Sequence, residues 1–171
     1  MDIVLVISDN YEAKGLKKAK ENGIETLVIN TSDKYIDELL HLMNNYKVDL
    51  IILSGFMKIL PKVFVEKYYG KIINIHPSLL PAFGGKGFYG IRVHSAVIEH
   101  GCTTSGCTVH FVDNEYDHGP ILLQSQVPVT TDDTPESLAA RVFLAECEAL
   151  PEAINVPSKK HQAKKHQVKQ K

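Results

Sequence analysis

Four short apolar runs, separated by stretches of helical length, constrain this chain more than anything else in its 171 residues. They are Ile3-Val4-Leu5-Val6-Ile7, Thr26 to Ile29, Asp49 to Leu53 and residues 71–75. Runs this continuously apolar read as strands buried on both faces rather than strands with one wet side. Between them, a helix over about 11–21 follows the turn cluster Ser8-Asp9-Asn10 and stops at Asn22-Gly23. Ser32 or Asp33 can cap a second helix, with Tyr35/Ile36, Leu39/Leu40 and Met43 at helical spacing, and a short helix sits near 61–69. After a helix at about 91–100 the pattern changes. Ser105 to Val112 and Ile121 to Val129 read as strands, and the connection between them is short enough for an antiparallel pair. Thr134-Pro135-Glu136 opens a helix that runs to about Leu150, where Pro151 should end or kink it. The expected fold class is α/β: an open, mostly parallel sheet with helices on both faces and an antiparallel strand pair near the C-terminus.

The composition, 44% hydrophobic and 23% charged, is that of one soluble globular domain. No apolar run approaches the ~20 residues that span a bilayer, and no signal-peptide n-region opens the chain. Cys102, Cys107 and Cys147 show no C-x-x-C spacing, so reduced thiols in a cytoplasmic protein are expected rather than a disulfide scaffold or zinc site. Charge is unevenly placed. Residues 155–171 hold six lysines and no acid, which leaves 13 basic residues against 20 acidic ones in the rest. This stretch is read as a basic, disordered tail. It lacks aromatic residues on which bases could stack, so no nucleic-acid partner is expected.

Chemistry concentrates in Asn74-Ile75-His76-Pro77-Ser78-Leu79-Leu80-Pro81. Side chains two apart on a strand point the same way, so Asn74 and His76 project together, about 6.6 Å apart at about 3.3 Å per residue. Pro77 keeps His76 extended, which places the pair at a strand end. Ligands of open α/β sheets bind beyond the carboxyl ends of strands. Three such ends gather here: Ser54 to Leu60, Asn74 to Pro81, and Asp113 to Gly119. A cleft between them would add one carboxylate, and spacing does not choose among Asp113, Glu115 and Asp117. The glycine-rich stretch Phe83 to Gly90 lacks the order of a phosphate-binding loop and reads as a mobile surface loop. His94, His100, His110 and His118 lie on separate elements and do not read as a metal cluster. Acid/base and oxyanion chemistry without a metal or covalent intermediate remains.

Asn74 to Pro81, Ser54-Gly55-Phe56-Met57-Lys58-Ile59-Leu60, and His110-Phe111-Val112 through Asp117-His118-Gly119-Pro120 together resemble the phosphoribosylglycinamide formyltransferases. The likeness runs over about residues 2–154. It implies the formyltransferase fold, and transfer of a formyl group from 10-formyltetrahydrofolate to the amine of glycinamide ribonucleotide in purine synthesis, with no metal. By motif match Asn74 and His76 would be catalytic and Asp117 would tune the histidine. Met57, Lys58, Ile59, Leu60, Asn74, Val112, Asp113 and Asp117 would line the folate pocket. Glu146, on the helix bearing Arg141, would contact the ribonucleotide, and Lys34 stands nearest to the family's arginine by the second helix. Asn74 and a protonated His76 would stabilise the oxyanion, each such donor being worth about 3–4 kcal/mol. The Leu80–Pro81 peptide would be cis. A homodimer is left open.

The resemblance also implies differences. The family begins with a further strand and a Gly-Ser-Asn phosphate loop, and residues 2–7 match its second strand. The expectation is therefore a complete half-site around Asn74 and a missing half for the substrate phosphate. The lysine-rich tail replaces the family's closing segment. Formyltetrahydrofolate hydrolase is also similar, but reads His-His-Ser-Phe-Leu-Pro where this chain has His76 to Pro81. Methionyl-tRNA formyltransferase would need a further domain. A silent folate-binding remnant is the other alternative.

Overall fold

The computed structural model describes residues 2–29 and 35–155. The proposed caps Ser32 and Asp33, the candidate ligand Lys34 and the tail beyond Asn155 lie outside the described residues. The chain divides into two compact units, with the boundary in sequence between Asp49 and Leu50.

The first unit holds β1 (Val6–Ser8), α1 (Lys14–Glu21), β2 (Thr26–Val28) and α2 (Tyr35–Asn45). β1 and β2 pair in parallel, Val6 opposite Thr26 and Ser8 opposite Val28. The expected strand over residues 3–7 starts late, and Ile3 and Val4 are exposed. The ladder opens only where Val6 donates to the Glu25 carbonyl, because the chain leaving α1 turns at Gly23 (φ +69°) and gives β2 just three residues. α1 also starts late. Asn10 accepts the Glu12 amide in a local turn, so it is occupied before it can cap the helix. Among the described residues of this unit, Leu16, Ala19, Ile29 and Met43 are the buried apolar ones.

The second unit holds β3 (Ile51–Leu53), α3 (Lys62–Lys67), β4 (Ile72–His76), α4 (Ile91–Glu99), β5 (Thr104–Phe111), β6 (Ile121–Pro128) and α5 (Pro135–Asn155). Its sheet runs β3-β4-β5-β6. β3 and β4 are parallel, with Leu53 opposite Asn74. β4 against β5 and β5 against β6 are antiparallel, as the short connection between the last two predicts. α5 packs on β5, β6 and α4. It buries Leu138, Val142, Ala145, Ala149 and Ala153, one stripe at helical spacing, against Ile73, Ile75, Val109 and Val127. Its start is a reciprocal cap: Thr134 Oγ1 accepts the Ser137 amide, and Ser137 Oγ accepts the Thr134 amide.

Pro151 does not end α5, which continues to Asn155. Proline removes one helical hydrogen bond and crowds the preceding turn. Beyond it, however, Ala153 is buried in the core, and that packing holds the final turn in place. Because Pro151 itself is exposed, Pro151→Ala should restore the bond without disturbing the core. We expect a gain of about 1–2 kcal/mol, read as a higher midpoint in urea unfolding at unchanged slope.

Candidate active site

β4 and β5 set the geometry. Their antiparallel register places Asn74 opposite His110 and His76 opposite Thr108. The Asn74 side-chain amide lies 3.1 Å from His110 Nε2, and His110 Nδ1 lies 2.8 Å from the Phe111 carbonyl. A carbonyl can only accept, so His110 donates through Nδ1 and accepts from Asn74 through Nε2. The asparagine is held in a fixed orientation by a histidine that sequence spacing did not connect to it.

His76 is 5% exposed. Its Nε2 donates to the Phe83 carbonyl at 2.8 Å, and its Nδ1 faces Asp117 Oδ2 at 3.5 Å. Asp117 also accepts the Gly85 amide at 2.9 Å and lies 3.7 Å from His110 Nε2, an electrostatic contact rather than a hydrogen bond. Of the three carboxylates in the 112–119 loop, the structure thus brings Asp117 to the histidine. Asp113 instead pairs with the exposed His118 at 2.8 Å. Asp117 occupies a left-handed conformation (φ +53°), one that Asp tolerates better than most residues. Gly119 closes the loop where a Cβ would run into the Phe111 carbonyl.

The electrostatics pull in two directions. Burial holds the His76 imidazole below its ordinary value, outweighing Asp117 and the Phe83 carbonyl, which favour the cation. Burial thus favours the neutral ring at rest. Burial pushes Asp117 up, but His110, the Gly85 amide and His76 together bring it below the usual carboxylate range. Glu146 is pushed up to about 7 by burial.

The turn after β4 is clamped from the sheet. Thr108 Oγ1 donates to the Ser78 carbonyl at 2.6 Å and accepts from the Leu80 amide and from Gln124 Nε2. The Leu80–Pro81 peptide is cis, as expected. The glycine-rich stretch that follows is not detached from the site, since Phe83 and Gly85 bind His76 and Asp117.

Two spaces open here. Lys58, Ile59, Leu60, Asn74, Val112, Asp113 and Asp117 surround a pocket of about 50 Å³. These are the residues expected to hold folate, except that Met57, 66% exposed, lines the other space. That is a cleft of about 650 Å³ bordered by Asn74, His76, Gly85 to Ile91, His94, Asp117 and Glu146. Small-molecule sites occupy about 300–1,000 Å³, so the cleft has room for a ligand and the small pocket would have to widen. From sequence His94 and His110 were considered only as metal ligands and given no role at the site, and Thr108 and the Phe83 carbonyl were not singled out. Only the alternation along β5, which puts Thr108 and His110 on one face, hints at two of them.

Residues 1–154 match the formyl transferase family, and the chain belongs to it. It is 45% identical over 148 residues to the chloroplastic phosphoribosylglycinamide formyltransferase of Arabidopsis thaliana, covering 83% of this chain and 51% of that protein. It resembles the crystal structure of phosphoribosylglycinamide formyltransferase from Anaplasma phagocytophilum with a TM-score of 0.82 at 42% identity, covering 90% of this chain and 72% of that one. A formyltetrahydrofolate deformylase from Pseudomonas syringae pv. tomato is similar too, with a TM-score of 0.79 at 26% identity over 90% of this chain and 50% of that one. The chain spans about half the length of the plant relatives it matches.

Replacing Asp117 by Asn should lower the His76 pKa further, since the carboxylate is the largest influence favouring the cation. The check is an NMR titration of the His76 ring protons. In the unaltered protein the neutral buried ring contributes its full stability above pH 6.5 and loses it as the pH falls through the lower folded value. An unchanged His76 titration in D117N would show that Asp117 does not tune the ring.

Proposed function

We propose that this chain transfers a formyl group from 10-formyltetrahydrofolate to the primary amine of glycinamide ribonucleotide, a step of purine synthesis, without a metal. The observation that carries the reading is the convergence of Asn74, His76 and Asp117 at the edge of a ligand-sized cleft. The likeness to phosphoribosylglycinamide formyltransferases supports it.

In this reading the amine attacks the formyl carbon and the formyl oxygen becomes an oxyanion, which accepts the remaining N–H of the Asn74 amide. His76 releases the Phe83 carbonyl and moves its proton from Nε2 to Nδ1, where Asp117 accepts it; the freed Nε2 lone pair then takes the proton released by the amine and passes it to the folate nitrogen as the carbon–nitrogen bond to folate breaks. Asp117 stabilises the transient imidazolium across Nδ1, a role that fits a resting ring kept neutral by burial. Lys58, Ile59, Leu60, Val112 and Asp113 hold the folate end with Met57 at its rim, and Glu146 contacts the ribonucleotide. A reducing compartment such as the cytoplasm suits the three free thiols.

The hydrolase and the silent folate-binding remnant predict different outcomes in one assay. Purified protein is mixed with a 10-formylfolate, with and without glycinamide ribonucleotide, and deformylation is followed. We expect turnover only with the amine. Turnover that ignores the amine would mean a hydrolase, and binding without turnover a remnant. Asn74→Ala should reduce kcat by about 10²–10³, the loss typical of one oxyanion donor. Asp117→Asn should cut turnover heavily at unchanged folate affinity.

A further inference from the structure

His94 stands apart from the other polar residues of the cleft. It is on α4, between the fully buried Val93 and the buried Val97, and is itself 4% exposed. Its Nδ1 is enclosed with no hydrogen-bond partner, one of two such side-chain atoms among the described residues. The other, Ser105 Oγ, is not on the cleft, whereas His94 lines it together with His76 and Glu146. A buried polar atom left unpaired in a native fold calls for an explanation.

The ring's chemistry supplies one. A neutral imidazole carries one N–H and one lone pair. Orphaned buried N–H groups are rarer than under-satisfied acceptors, so the proton belongs on Nε2 and the lone pair on the enclosed Nδ1. With Nδ1 closed off and no other hydrogen bond to His94 among the described residues, Nε2 is the nitrogen left to face the cleft. Burial, and after it the nearby His76, lowers the His94 pKa and keeps the ring a neutral donor rather than a cation. A neutral donor suits an uncharged oxygen. His94 lines the same cleft as His76, beside which the amine reacts, and the uncharged oxygen nearest an α-amino amide's amine is its own carbonyl.

We infer that His94 is a further substrate-binding residue, whose Nε2–H donates to the amide carbonyl of the amine substrate and thereby orients the amine towards the formyl carbon. This rests on the transferase reading above, and it adds a determinant for the amide beyond the Asn74, His76 and Asp117 set.

Three variants test it. Glutamine can place an amide N–H near the position of the imidazole Nε2, asparagine is too short to do so, and leucine keeps bulk without a donor. KM and kcat for glycinamide ribonucleotide would be measured in each, with its Kd by calorimetry, the Kd of a folate analogue, and the melting temperature. His94→Leu and His94→Asn should raise KM and Kd for the amine by about ten- to a hundredfold, the cost of one lost hydrogen bond. His94→Gln should stay within about threefold, and folate binding should hold in all three. If His94→Leu fails to fold, Gln against Asn decides. Wild-type KM and Kd in His94→Asn, or equal loss in Gln and Asn at unchanged melting temperature, overturns the inference. A wild-type protein that binds the amine but transfers nothing overturns the transferase reading alone, and His94 is then judged on Kd. If the wild type does not bind the amine, the inference fails.

Discussion

The second unit's polar architecture depends on one half-buried carboxylate. Asp117 meets the Gly85 amide, His76 on β4 and His110 on β5, so a single side chain ties the faces of β4 and β5 to the stretch that follows the Pro81 turn. A carboxylate this enclosed is costly unless its environment is arranged to receive it. The Gly85 amide, together with the protonated forms of His110 and His76, outweighs the burial and lowers its pKa. The strained backbone at Asp117 and the close approach at Gly119 follow from the need to bring this loop within reach of β4.

The same arrangement sets the state of His76. With Nε2 donating to Phe83, the neutral ring turns its lone pair towards Asp117 Oδ2 at 3.5 Å. That contact favours a proton on Nδ1, while burial opposes it. The balance suits a group that must accept a proton and give it away again within one turnover, since a ring locked in either form would do half the work. Both nitrogens are engaged at rest, so in the proposed transfer Nε2 leaves Phe83 and its proton moves to Nδ1. That residue lies in the left-handed region (φ +52°) and packs edge-on against Phe88 and His100. The carbonyl that restrains the histidine therefore sits on a backbone position with little intrinsic stability.

Much of this was legible in the residues. Continuous apolar runs gave the β/α alternation, and the Asn74–His76 spacing placed two polar side chains on one strand face. Local signals failed where tertiary contacts decide. The apolar stretch at Ile3 and Val4 looked like strand, but a ladder is no longer than its partner, and β2 supplies three residues. Pro151 looked like a stop, but the buried Ala153 beyond it carries the helix past it. The choice of Asp117 over Asp113 and Glu115 rests on which way a strained loop turns, and no spacing rule records that. The contacts of His110 with Asn74 and of Thr108 with Ser78 escaped notice because the partners are 36 and 30 residues away.

Transfer and hydrolysis of a formylfolate ask for the same chemistry from an Asn–His–Asp set; what separates them is whether an amine or water stands beside the formyl carbon. The walls around the set then matter more than the set itself. Here Asn74 and Asp117 border both the small pocket and the large cleft, which makes them the boundary where a donor on one side could meet an acceptor on the other. A water molecule needs none of the 650 Å³ beyond that boundary. The cleft extends instead to Glu146, whose pKa near 7 leaves it able to accept or donate to ligand hydroxyls, and to the unsatisfied His94. Polar groups held ready at a distance from the reacting atoms are of use to a large acceptor molecule, because binding energy gained there can hold its amine in line. By this reasoning the far wall of the cleft, more than the residues at its centre, favours transfer.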